Sequence, residues 1–300
     1  MLTGMEIAVI GGDLRHIEVI RQLAKMDATI YLLGYNQLDD GFLGVEKTTF
    51  EAIQAEKLDA IILPINGMKT NYEIDSVFSD SKLYLTEQWL SRTQKATKIY
   101  TGISNDALNK IVLNTNKELI ELMDRDDLAI YNSVPTAEGA VLLTIQHTNV
   151  TIHRSNVVVV GFGRVGKTIA RTFHVLGANV KVVANEEELR ARAFELNLEP
   201  YELLDLKKVV EDADTIINTI PAQVLTADII SKMPSHVLII DIASNPGGTN
   251  FEFAEKRAIQ AILAPGLPGL VAPKTAGIQL GNVLSTLLQK QLEEREGGNV

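Results

Sequence analysis

Four consecutive valines, Val157–Val160, run straight into Gly161-Phe162-Gly163-Arg164-Val165-Gly166, and no other stretch constrains the chain as much. An unbroken β-branched run has no polar face, so it belongs in a sheet buried on both sides. Such sheets are parallel, because the crossovers that join their strands lay helices over both faces. The three glycines then have separate tasks. The first permits a tight turn from strand to helix, the second lets backbone approach a pyrophosphate, and the third lets helix and strand pack closely. A helix opening at Arg164 offers its N-terminal N–H groups and partial positive charge to phosphates. On its own G-x-G-x-x-G is weak; the strand before it and the helix after it give it force. The rival reading is a glycine turn that has lost its nucleotide.

The same alternation of strand and helix runs through all 300 residues, a length that suggests two domains. In the first half, Glu6–Ile10 reads as a strand ended by Gly11–Gly12, followed by a helix over Leu14–Met26. Thr29–Leu33, Ala60–Leu63 and Ile99–Thr101 are further strands, Asn105 caps a helix to about Thr115, and a second helix runs on through Leu122. In the second half, Thr136 caps a helix to about His147, behind Pro135. Beyond Val157–Val160, helices are expected over Arg164–Leu176, Glu187–Leu196 and Lys274–Glu294, and strands over Val180–Val183, Thr215–Asn218, Val237–Asp241 and Ala261–Leu263. The expected class is α/β, with two doubly wound Rossmann-like domains, parallel sheets and a cleft between them. Residues 1–128 form the expected substrate-side domain. Residues 129–300 form the expected nicotinamide dinucleotide domain, including a connecting helix and the C-terminal helix.

Composition removes other classes. Lys+Arg 28 against Asp+Glu 38 gives a net charge of −10, which lacks the basic footprint of nucleic-acid binding. No cysteine is present, so disulfides, thiolate metal sites and a cysteine nucleophile are excluded. His16, His147, His153, His174 and His236 show no H-x-x-x-H spacing, and no metal is expected. No G-x-S-x-G elbow marks a serine hydrolase. No apolar run approaches the roughly 18 residues of a membrane span, so a cytosolic protein without a membrane partner is expected.

Cofactor choice stays open. The position about 20 residues beyond the glycines takes the adenosine ribose, and here the strand ends Ala184-Asn185-Glu186-Glu187. Asn185 is neither the carboxylate that announces NAD nor an arginine for the 2′-phosphate of NADP. Glu186 or Glu187 suits a 2′-hydroxyl; Arg190 and Arg192 suit a phosphate, or simply form a solvated helix face. Three more loops lie at carboxyl ends of strands, where open α/β sheets hold ligands. They contribute Thr219, Ile220 and Pro221; Ala243 within Asp241–Gly248; and Pro265 and Gly266 in a proline-stiffened loop ending at Pro273. Lys274 opens the last helix, where a cation opposes the helix dipole by a few tenths to about 1 kcal/mol. A broken local rule points to function, and an exposed lysine of little cost is the alternative. Asp13 and Arg15, after Gly12, either help helix amides hold a carboxylate or make a plain capped start, with Arg15 on the exposed face.

Asn132-Ser-Val-Pro-Thr-Ala-Glu-Gly139, Gly161–Gly166, Ile217-Asn-Thr-Ile-Pro221, Asp241–Gly248, Leu263-Ala-Pro-Gly-Leu-Pro-Gly269 and Ala272-Pro-Lys-Thr-Ala-Gly277 resemble the family of dipicolinate synthase A-subunits. Gly11-Gly-Asp13 and Gly102-Ile-Ser104 fit it too, so the resemblance spans nearly the whole chain. It implies an oxidoreductase of endospore formation in the mother-cell cytoplasm, using NADP or NAD to make dipicolinate from a hydroxylated tetrahydrodipicolinate. It also implies a flavoprotein-like partner, the dipicolinate synthase B-subunit, and an oligomer. A small dicarboxylate substrate needs positive features in an acidic protein. Arg15, Lys274 and helix N-termini are the candidates, with Gly12, Asp13 and Ser104 beside the substrate and Glu138 as a base or a first-turn acid. One departure stands out: the family's second strand ends in Arg and Ser residues suited to a 2′-phosphate, and Asn185-Glu186-Glu187 stands there instead.

Two rival readings are a D-2-hydroxyacid dehydrogenase and a non-catalytic nucleotide-binding regulatory protein. The first is disfavoured because Asp241–Gly248 has no arginine and Leu263–Lys274 no histidine.

Overall fold

The computed structural model describes residues 1–39, 42, 44–244 and 246–297. The chain forms two compact units, Met1–Leu128 with Pro273–Val300, and Ala129–Ala272. Asn245, within the expected Asp241–Gly248 loop, lies outside the described residues.

Among the described residues the first unit holds a six-stranded sheet of β1 (Glu6–Ile10), β2 (Thr29–Leu33), β3 (Val45–Thr48), β4 (Ala60–Ile62), β5 (Lys98–Thr101) and β6 (Glu118–Glu121). The second holds β7 (Asn156–Val160), β8 (Asn179–Val183), β9 (Glu199–Tyr201), β10 (Thr215–Asn218), β11 (Leu238–Asp241) and β12 (Gln260–Leu263). Both sheets are parallel and share one order: β3-β2-β1-β4-β5-β6, and β9-β8-β7-β10-β11-β12. This is the doubly wound order whose reversal beside the first strand makes a ligand crevice. The valine run is central, between β8 and β10. Val157 and Val159 join one core cluster with Phe162, Ile169 and Phe173, and Val158 and Val160 join another with Val183, Ile216 and Ile239. Period-two alternation therefore feeds two apolar layers. Ile7 and Val9 against Ala8 and Ile10 repeat the scheme in the first unit.

Helices α1 (Leu14–Lys25), α2 (Asp106–Asn114), α3 (Asp126–His147), α4 (Arg164–Val175), α5 (Glu187–Glu195) and α6 (Pro273–Gly297) complete the parts that matter for function. Three expectations are corrected. The helix expected through Leu122 is instead the edge strand β6, whose apolar centre Leu119-Ile120 is flanked by glutamates that suit an edge. The helix expected from Thr136 begins at Asp126 and runs through Pro135. Proline removes one N–H there, and next to it Thr136 Oγ1 donates to Asn132 O at 2.7 Å and Ser133 Oγ to Ile130 O at 2.6 Å. The C-terminal helix, expected with the second domain, belongs to the first unit. Its stripe of Leu280, Val283, Leu284, Leu288 and Leu292 enters the core of Ile7, Val9, Val19, Ile20 and Leu23. Gly277 permits this closeness, since a Cβ there would lie 2.4 Å from the Arg15 carbonyl.

Helix α3 is long and apolar enough to cross a membrane by length and composition. Ala137 and Ala140 of that helix are buried in the second unit's core, whereas Ile130, Val134, Leu142 and Ile145 on the same helix are exposed.

Candidate functional site

At the end of β7 the chain turns through Gly161, at φ +95°, and starts α4 after Gly163. The Gly161 N–H donates to Val183 O at 2.9 Å, fixing the turn to β8. A Cβ at Gly161 would lie 2.3 Å from Thr219 Oγ1, and one at Gly166 only 2.1 Å from Gly161 O, so helix and strand meet at glycine contact. Gly163 differs: a Cβ there would meet nothing within 4 Å. No side chain caps α4, and the Phe162 and Gly163 N–H groups have no hydrogen-bond partner among the described residues. Unsatisfied amides, a helix N-terminus and open space together form a cradle for a pyrophosphate.

A cavity of about 400 Å³ extends from this turn. It brings together ten of the expected cofactor residues, Gly161, Phe162, Gly163, Arg164, Val165, Gly166, Asn185, Thr219, Ile220 and Pro221, and adds Ala184, Glu186 and Leu189. The Phe162 side chain is buried in the core, so that residue serves through its backbone. Ala243, Pro265 and Gly266 are not in the lining; they sit on the loops after β11 and β12, with Gly266 left-handed at φ +73° before a short helix, Leu267–Val271.

At the β8 end of the cavity, Arg190 is already occupied. Its Nη1 donates to Ala184 O at 3.0 Å and to Asn185 O, and its Nη2 pairs with Glu202 at 3.1 Å. Arg192 pairs with Glu195 at 3.0 Å.

Sequence reasoning passes over the network that shapes the neighbouring loops. Asp241 is fully buried and accepts from Asn218 Nδ2 (3.0 Å), the Ala243 N–H (3.2 Å), the Gly248 N–H (2.8 Å) and Thr249 Oγ1 (2.6 Å). Asn218 also donates to Ile220 O at 3.1 Å and accepts from the Ile220 N–H at 3.1 Å. One satisfied carboxylate thereby ties the β10 loop to the β11 loop. The available signal is a pair of polar residues, Asn218 and Asp241, ending two otherwise apolar strands.

In the first unit the matching turn is closed. The Gly12 N–H donates to Asp75 O at 2.8 Å, the Val77 N–H to Gly12 O at 3.0 Å, and the Tyr35 hydroxyl to Gly11 O at 2.7 Å. Asp13 caps α1, accepting from the Arg15 N–H at 2.9 Å, while its own N–H donates to His16 Nδ1 at 3.2 Å. Arg15 is buried rather than on an exposed face, and its guanidinium forks onto Asp13 at 3.0 and 2.6 Å. Burial alone would push the Asp13 carboxyl up. The His16 ring and the Arg15 guanidinium outweigh it and hold the carboxyl well below the usual carboxylate range. Gly12 and Asp13 line a cavity of about 190 Å³ that also carries Glu73, Asp75 and Lys69. Three carboxylates against one ammonium do not suit a dianion. Ser104 and Arg15 are outside that lining; the Ser104 N–H donates to Glu121 at 2.5 Å. Lys274 is exposed in the first turn of α6, one turn before Gly277. Glu138 is exposed on α3 in the second unit. Among the described residues no three His, Asp or Glu side chains form a metal-sized group.

Residues 6–123 match the N-terminal domain of the dipicolinate synthase A-subunit, and residues 137–246 the NAD-binding domain of the D-isomer specific 2-hydroxyacid dehydrogenases. Over 297 residues, 99% of this chain and 100% of the relative, the sequence is 50% identical to the dipicolinate synthase A-subunit of Bacillus subtilis strain 168. The chain belongs to the family of dipicolinate synthase A-subunits. The crystal structure of the family member from Bacillus halodurans superposes with a TM-score of 0.94 at 50% identity, covering 96% of this chain and 99% of that one. The Bacillus subtilis crystal structure gives the same score and identity over 98% and 99%. Family and site agree on a dehydrogenase-type oxidoreductase with a nicotinamide cofactor.

Proposed function

We propose that the chain is the nicotinamide-binding component that forms dipicolinate from a hydroxylated tetrahydrodipicolinate in the mother-cell cytoplasm of an endospore-forming bacterium. It works in an oligomer with the flavoprotein-like dipicolinate synthase B-subunit. The supporting observation is the open cradle at Gly163 in a chain half identical, end to end, to a dipicolinate synthase A-subunit.

The reaction removes water from the ring and then a hydride and a proton, leaving an aromatic pyridine. A nicotinamide dinucleotide with its pyrophosphate in the cradle would supply the hydride acceptor. The glycine turn and α4 hold its pyrophosphate, and Arg164 at the helix start adds positive charge beside the same anion. The loops joined by Asp241 keep Thr219, Ile220 and Pro221 in place. For the substrate we assign one carboxylate to Lys274, whose ammonium has no ion-pair partner among the described residues, and a hydrogen bond to the Ser104 hydroxyl. Arg15 holds Asp13 and the turn at Gly12. Glu138 accepts the ring proton.

Ultraviolet absorbance of dipicolinate, followed from the chain alone and then with the B-subunit, tests the reading. Product that appears only with both proteins, or rises at least tenfold on adding the second, is expected. Robust turnover by the chain alone would remove the partner from the proposal, and no product with either cofactor would remove the reaction.

A further inference from the structure

We propose that the cavity selects NAD(H) over the 2′-phosphorylated cofactor, with Glu186 accepting from the ribose 2′-hydroxyl and Arg190 withheld from any phosphate. This rests on the preceding reading that the cavity takes a nicotinamide dinucleotide. The end of the second strand reads the 2′ position in this architecture, and Asn185 and Glu186 line the cavity there. Glu186 occupies the cap position of α5, yet its side chain makes no capping hydrogen bond. Its carboxylate is therefore left to accept from a hydroxyl. A phosphomonoester, with about −1.5 to −2 charges at neutral pH, would meet it as a like charge.

The helix dipole does not rescue the phosphate. Glu187 and Glu188 follow in the first turn of α5, so its positive end is already matched by carboxylates. Nor does the nearest arginine. To reach a phosphate, Arg190 would have to leave the Ala184 and Asn185 carbonyls and the Glu202 carboxylate. Those carbonyls lie in the turn just after β8, so the movement would also unfasten the turn that presents Glu186. Arg190 is thus a positioning residue, and Leu189 offers adenine an apolar surface beside it.

Calorimetric titration of the full chain with NADH, NADPH, 5′-AMP and adenosine 2′,5′-bisphosphate tests this. NADH should bind at least tenfold more tightly than NADPH, and the bisphosphate no more tightly than 5′-AMP. Equal or reversed affinities would overturn the selectivity while leaving the nucleotide site intact; no binding of either dinucleotide would overturn both. The paired variant Asn185→Arg with Glu186→Ser should raise NADPH affinity at least tenfold with the thermal midpoint unchanged. Arg190→Lys should weaken both dinucleotides together, because the turn loosens. If Arg190→Lys instead removes NADPH binding alone, Arg190 is a phosphate ligand and the proposal fails.

Discussion

Gly11-Gly12-Asp13-Leu14-Arg15-His16 and Gly161-Phe162-Gly163-Arg164-Val165-Gly166 occupy the same place in two sheets of the same strand order. Each follows the first strand, has a left-handed first glycine and donates that glycine's N–H to the end of the second strand at 2.9 Å. They part at the cap and one turn later. Where the second unit has Gly163, the first has Asp13, which fills the anion position with its own carboxylate. Where the second has Gly166, the first has His16, whose ring would lie 2.5 Å from a Cβ on Gly12. Residues 75–77 then bond across the first turn. A shared topology therefore makes a nucleotide cradle only when the turn's donors are left without partners; the first unit satisfies its own turn and keeps it closed.

The largest effect should come from moving the first unit's cap into the second. Gly163→Asp keeps an extended backbone that any residue adopts, and Asp is a good cap, so the thermal midpoint should hold or rise slightly. Its carboxylate would face the pyrophosphate, and NADH affinity should fall about a hundredfold, or ~2.7 kcal/mol. Titration and a melting curve on the same sample give both answers. Unchanged affinity would show that the cofactor does not use this turn.

Next comes the reverse side of the comparison. At Gly11 a Cβ would lie 2.5 Å from Asp75 O and 2.7 Å from Ile74 Cγ2, with φ at +63°. Gly11→Ala should cost about 2–4 kcal/mol of stability through clash and left-handed strain. NADH affinity should stay within about twofold of wild type. Denaturant unfolding monitored beside titration separates the two, and a parallel loss of affinity would mean that the first turn serves the cofactor.

This contrast also marks what the sequence could reveal. The valine run, both glycine turns, the caps at Asp13 and Asn105 and most central strands were legible, because buried strands and capped helices leave local signatures. Of the edge strands only the one at Ala261–Leu263 was: Glu118–Glu121 is short and charged at both ends, and Glu199–Tyr201 contains Pro200, which an edge tolerates. The apolar stripe of α6 was visible as a helix, but nothing local says that it joins the core of Ile7 and Val9, at the far end of the chain. The cofactor turn was legible for the same local reasons. The commitments of Arg190 and Arg15 were not, because a side chain's partner is a tertiary fact: each reads as a free cation in sequence and each is held, by Glu202 and Asp13 respectively.

The smallest effect tests the charge in the closed turn. Asp13→Asn keeps a capping side chain and removes the carboxylate that Arg15 grips. The folded carboxyl lies below the roughly 3.9 of an unfolded aspartate. Its contribution is therefore fully present above about pH 5 and is lost as pH falls through and below about 4 toward the depressed value. Near pH 7 the variant should be less stable by about 1 kcal/mol, a modest figure because water reaches and screens this pair. The gap should narrow progressively as the solution is acidified below about pH 4. NADH affinity at neutral pH should not move, since the second unit owns the open turn. A stability gap independent of pH would assign Asp13's contribution to its shape, and the difference between the two turns would then be one of packing rather than of charge.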